Sequence, residues 1–183
     1  MQYVPDPAYF AGKYRVASAR RPGGDYGQTG AYCITICTAG RHRFFGEIAE
    51  LPHPHLVGTR LAQAAVDCWL AIPDYHSYAT PGAFVVMPDH VHGLVLLHRP
   101  DDAAAYQPPA FGPQKQNLAA VVRGFKAAVT KWSIEQQLPF GWQSRFHDRI
   151  VRNDDELARL EWYIEQNPIR WAAEHNQPDN IFR

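Results

Sequence analysis

No apolar run in this chain approaches the ~18 residues that a membrane-spanning helix needs, and Pro5 and Pro7 stand where the apolar centre of a secretory signal would lie. Cysteine is scarce and odd in number: Cys33, Cys37 and Cys68 form no disulfide framework, and reduced thiols suit a cytoplasmic protein. Net charge is also missing, since 18 Lys and Arg balance 18 Asp and Glu. That excludes the uniformly basic character of many nucleic-acid binders, so any polyanion site has to arise from local clustering.

What is present points to one folded domain. The 183 residues are 46% apolar with five Trp, nine Tyr and nine Phe. A chain of this length buries roughly two thirds of its unfolded surface. Three segments lack periodicity: an N-terminal arm (1–30) rich in Gly, Arg and Tyr, a proline-rich internal linker (99–116), and a C-terminal tail (168–183). Basic residues gather at Lys13, Arg15, Arg20 and Arg21, at Arg41 and Arg43, at Lys115, Arg123, Lys126 and Lys131, and at Arg145, Arg149 and Arg152.

The rest reads as mixed α/β. Ala31 to Thr38 alternates like a strand, with Ile34 and Ile36 on one face and Cys33, Thr35 and Cys37 on the other. A helix is predicted over 57–72, ended by Pro73, followed by strands near 75–78, 83–87 and 91–97, the last two joined by a Pro88-Asp89 turn. Asn117 caps a helix running to about 137, 140–151 is extended, and Asn153 or Asp154 caps a helix with an acidic first turn.

Two distant fragments carry chemistry. His90 and His92 lie two apart at the start of an apolar strand and therefore share a face. Tyr163 and Asn167 lie one turn apart at the edge of the Leu157, Leu160 and Ile164 stripe. Two imidazoles and an amide oxygen leave coordination positions open on a divalent ion, and a phenol is a usable nucleophile. The same residues also suit plain packing, and Asn167 before Pro168 suits a cap between helices. A second H-x-H, His53-Pro54-His55, is bracketed by prolines and reads as a loop.

The segments Gly30 to Thr38, Phe44-Phe45-Gly46, Met87-Pro88-Asp89-His90-Val91-His92-Gly93, Gly124-Phe125-Lys126, Trp142-Gln143, Phe146 to Asn153, and Tyr163-Ile164 with Asn167-Pro168-Ile169-Arg170 occur in an order that resembles the IS200-like tyrosine transposases of the HUH endonuclease class, in their REP-associated subgroup. Asp89 departs from the pattern, standing where relatives usually carry Asn. The resemblance implies a ferredoxin-like α/β sandwich, an antiparallel sheet with helices packed on one face. It implies Mg²⁺ or Mn²⁺ held by His90, His92 and Asn167, with Tyr163 as nucleophile forming a 5′-phosphotyrosine. The implied substrate is single-stranded DNA with a foldback hairpin from a palindromic repeat, handled by a monomer, or a dimer, at the bacterial nucleoid. Candidate DNA contacts are Arg15, Arg20, Arg21, Lys126, Trp142, Arg145, Arg149 and Arg152. Two other readings remain: a protein of the same fold that binds hairpins without cutting, and a zinc-binding structural protein using His90, His92 and His98.

Overall fold

A computed structural model of the chain describes residues 29–98 and 116–175, with the backbone of 9–10 and 14–15. The side chain of Arg15, the positions of Arg20 and Arg21, most of the arm, and the linker up to residue 115 lie outside the described residues, as does the chain beyond residue 175.

The elements follow in the order β1 (Tyr9–Phe10), β2 (Tyr14–Arg15), β3 (Gly30–Cys37), β4 (Gly46–Ala49), β5 (His55–Gly58), α1 (Arg60–Leu70), α2 (Ile72–Tyr75), β6 (Ala79–Met87), β7 (His90–Leu97), α3 (Leu118–Glu135), β8 (His147–Ile150), α4 (Asp154–Glu165) and α5 (Asn167–His175). Strands β3, β6, β7 and β8 form one antiparallel sheet in the order β6-β7-β3-β8. With α1 and α3 as crossovers this is the β-α-β-β-α-β arrangement of a ferredoxin-like sandwich. Strand β4 pairs with β5, and β1 with β2, as separate two-stranded ribbons. Among the described residues no helix is long and apolar enough to cross a membrane.

Alternation along the strands sorts the sheet into two faces. Tyr32, Ile34, Ile36, Val91 and Val95 point to one side and join Leu61, Ala65, Trp69, Val121, Phe125 and Val129 of α1 and α3 in the core. Trp69 stacks on Phe84, ring centroids 4.4 Å apart, and meets Phe125 edge-on at 5.6 Å. The other face carries Thr35, Cys37, His90 and His92, and here α4 packs across β6 and β7. The two long helices thus share a face as expected, while α4 brings a further layer to the opposite one.

Boundaries depart from the sequence reading where short polar signals override periodicity. Helix α1 starts at Arg60 because the Thr59 hydroxyl accepts from Ala62 N–H at 3.3 Å, which leaves Val57 in strand β5. Pro73 does not end a helix: it sits in the first turn of α2, where its missing N–H costs nothing, so the strand expected near 75–78 is instead the end of α2 and a turn. Strand β6 is longer than 83–87, and its Pro81, unable to donate to a ladder, lies on the edge strand at a register shift. Gly46 opens β4 with φ at 131°, and a Cβ there would come within 2.1 Å of the Val57 carbonyl oxygen. The segment after Pro168 begins as helix α5.

Asn153 is the cap of α4, its side chain accepting from Glu156 N–H at 2.8 Å. Removing that acceptor in Asn153→Ala is expected to cost about 1 kcal/mol, read as a lower denaturation midpoint with an unchanged slope in urea.

Candidate metal and nucleophile site

Strand β7 enters the sheet through a turn that β3 and the following loop pin from outside. Thr38 N–H donates to the Asp89 carbonyl at 2.9 Å and Phe45 N–H to the Pro88 carbonyl at 3.1 Å. The turn delivers His90 and His92 side by side, both buried, with Nε2 of one 3.0 Å from Nε2 of the other. Two such nitrogens at that distance share one proton or flank one ion.

Each outward nitrogen has its own partner. His90 Nδ1 lies 2.6 Å from Asp89 Oδ1, and Asp89 Oδ2 pairs with Arg41 Nε at 2.9 Å. His92 Nδ1 lies 2.7 Å from the Thr35 hydroxyl, its neighbour across the β3–β7 pair. Burial acts to raise the Asp89 carboxyl, but the His90 hydrogen bond and the charges of His90 and Arg41 outweigh it and hold the group below the usual carboxylate range. Burial first, then His90 and Arg41, push the His92 imidazole down to about 3, so it is neutral near pH 7. Neutral imidazoles are the form that binds metal.

Helix α4 brings the phenol. The Tyr163 ring lies edge-on to His92 with centroids 5.6 Å apart, and the Arg170 guanidinium sits over the Tyr163 ring at 4.8 Å. Trp171 lies 5.8 Å from His90, with Arg43 over its own ring at 5.9 Å. Asn167, also buried, opens α5 directly after Gln166, the C-cap of α4, and so stands in the chain between the two rings that meet the histidines. Among the described residues no three His, Cys, Asp or Glu side chains form a metal cluster. Two imidazoles alone are too few for a closed structural zinc site, which takes four ligands. His98, the third ligand of the zinc reading, bonds Thr80 at the far end of β7.

The proposed DNA contacts divide. Arg145, Arg149 and Arg152 are exposed on and around β8, with Arg149 paired to Glu156, whose carboxylate also accepts from Arg152 N–H at 2.8 Å. Lys126 instead donates to the Gln143 carbonyl at 2.5 Å, and Trp142 packs among Phe45, Phe125 and Phe140 with its indole N–H on the Lys126 carbonyl at 3.2 Å. Those two residues tie α3 to the 141–144 segment. Three other arginines contact the neighbours of the histidines: Arg41 pairs with Asp89, Arg43 lies over Trp171 and Arg170 over Tyr163. Arg41 and Arg43 showed in the sequence only as one basic cluster among several.

No protein-family model matches the chain. A Haemophilus influenzae protein described as uncharacterised is 30% identical over 175 residues, covering 91% of this chain and 95% of that protein. A second H. influenzae protein, named provisionally as a REP-associated tyrosine transposase, is 32% identical over 89 residues, and this chain spans about half of its length (48%). Among solved structures, a REP-associated tyrosine transposase bound to a REP hairpin has the same fold, with a TM-score of 0.56 and 18% identity, covering 85% of this chain and 74% of that one.

Proposed function

This chain belongs to one family with its full-length Haemophilus influenzae relative and resembles the REP-associated tyrosine transposases in sequence and fold, and from that premise we propose that it is a metal-dependent single-strand DNA endonuclease and strand transferase acting near foldback hairpins. The observation that carries the proposal is the convergence of His90 and His92 Nε2 atoms at 3.0 Å with the Tyr163 ring against His92. That juxtaposition joins residues seventy positions apart and has no role in the main core.

His90, His92 and Asn167 would hold the ion. When bound, a divalent cation polarises the scissile phosphodiester and offsets its developing charge. Tyr163 Oη attacks phosphorus and loses its proton, a new P–O bond forms to the phenol oxygen, and the bond to the 3′ oxygen breaks. The products are a 5′-phosphotyrosine and a 3′-OH, so the phosphodiester energy is kept and rejoining needs no ATP. Arg170, above the Tyr163 ring, places positive charge beside the reacting group. The exposed Arg145 and Arg152 beside β8, with Arg149 on it, offer contacts to backbone phosphates, which base-independent affinity requires.

The test is a denaturing gel of the purified chain with end-labelled single-stranded oligonucleotides carrying a palindromic repeat, in Mn²⁺ or EDTA. A labelled protein band that withstands denaturation and requires Mn²⁺ supports the proposal. Hairpin binding with no cleavage and no adduct overturns it in favour of a non-cleaving binder. His90→Ala is expected to reduce nicking about a thousandfold, some 4 kcal/mol of lost transition-state stabilisation, measured as single-turnover rates at saturating Mn²⁺.

A further inference from the structure

We propose that Asp89, braced by Arg41, and Thr35 are positioning residues that turn the Nε2 lone pairs of His90 and His92 toward one divalent ion, an inference that rests on the metal-dependent reading above. Asp89 stands at a place where the sequence pattern leads one to expect an amide, and its carboxylate is fully engaged. A carboxylate can only accept, so its 2.6 Å contact keeps a proton on His90 Nδ1, and in the neutral ring, the form that binds metal, this leaves Nε2 as a lone pair. Three anchors hold the acceptor still. Thr38 N–H binds the Asp89 carbonyl, Arg41 Nε binds the second carboxylate oxygen, and Arg41 Nη1 is itself 2.9 Å from Cys37 Sγ. Arg41 reaches this place from a backbone at φ 57°, a left-handed conformation that a non-glycine residue rarely adopts.

The two histidines have different partners, and the difference has a chemical consequence. With His90 Nε2 committed as an acceptor, the 3.0 Å contact requires His92 to donate from its own Nε2 when both rings are neutral. His92 Nδ1 then accepts from the Thr35 hydroxyl. For both Nε2 lone pairs to face an ion, His92 has to carry its proton on Nδ1 instead, a loss at one nitrogen matched by a gain at the other. A hydroxyl can reverse its role and accept that Nδ1–H without moving its oxygen, which a carboxylate cannot do. Thr35 therefore serves both tautomers of His92, while Asp89 locks His90 in one.

The experiment is Mn²⁺ titration of the full chain, following the EPR signal of free Mn²⁺ without DNA. Variants are Asp89→Ala, Asp89→Asn, Thr35→Val, Thr35→Ser, Arg41→Ala and His90→Ala, each with a melting curve in EDTA to separate folding from binding. Asp89→Ala and Thr35→Val are expected to weaken Mn²⁺ binding by roughly 10 to 100-fold. Asp89→Asn and Thr35→Ser keep an acceptor in place and should lose only a few-fold, and they report even where the Ala or Val variant does not fold. Arg41→Ala should weaken binding in the native background and have no further effect in Asp89→Ala, because it acts through that carboxylate. Nitrogen-15 shifts should place the His90 proton on Nδ1 in the native chain. Affinity unchanged in both Asp89→Ala and Thr35→Val, while His90→Ala binds nothing, overturns the positioning role alone. If the native chain binds Mn²⁺ no better than His90→Ala, the metal-dependent reading fails and this inference falls with it.

Discussion

Tyr163→Phe is expected to abolish the covalent protein–DNA adduct and to lower strand cleavage by at least about a thousandfold, while hairpin affinity stays within about twofold. The substitution removes one oxygen. It keeps the ring that meets His92 at 5.6 Å and carries Arg170 at 4.8 Å, so the packing of α4 and the cation over the ring are retained. A large effect on cleavage with none on binding would isolate the phenol as the attacking group. The measurement is the denaturing gel for adduct and rate, with fluorescence anisotropy of the same labelled hairpin for affinity. Cleavage that persists in the variant would assign the attack to another nucleophile, such as water, and leave Tyr163 a packing residue.

Gly93→Ala should be the most damaging single-methyl change in the sheet. Gly93 follows the two histidines, and its place in the motif invites a catalytic explanation, yet its α-carbon faces the core. A Cβ there would meet two atoms of the Trp69 ring at 2.5 Å and Phe84 at 3.0 Å. The Trp69 ring has no room to yield: it is fully buried, stacked on Phe84 and edge-on to Phe125. Overpacking at a site that cannot relax costs about 3 kcal/mol, which for a domain of this size lowers the melting temperature by roughly 6 to 12 °C. Thermal unfolding followed by circular dichroism reads the shift. A variant that melts like the native chain would mean that α1 moves off the sheet more easily than its aromatic contacts imply.

These two residues also mark where the sequence was legible. Elements set by local chemistry were readable: the alternation of β3, the caps Asn117 and Asn153, the adjacency of β6 and β7 across Pro88-Asp89. The pairing of His90 and His92 on one face follows from a period of two. The β4–β5 ribbon was not readable, because four-residue strands such as Gly46–Ala49 carry no period of their own and Val57 of β5 stands four residues before Leu61, in step with the apolar stripe of α1. Pro73 misleads because its restricted φ serves the first turn of a helix as well as the end of one. Lys126 and Trp142 looked like a cation and a ring available to DNA. Their actual partners, a carbonyl at residue 143 and three phenylalanines, are set by how α3 meets a distant segment, which no local pattern encodes. The hydroxyl of Thr35 behind His92 was likewise visible only as one residue of a strand face, since its role depends on strand register.

The two halves of the site stand on supports of unequal firmness. His90 and His92 lie on β7, an interior strand laddered to β6 and β3 on both sides. Tyr163 rides on α4, where among twelve residues only Glu156 and Ile164 are buried, against seven on α3. In native-state hydrogen exchange the amides of β7 should therefore fall in the slowest class, opening only with the whole domain, while those of α4 exchange through a cheaper, partial opening. Under the proposed mechanism a DNA end bonded to Tyr163 would ride on the more loosely held of the two supports, and the histidines on the firmer one.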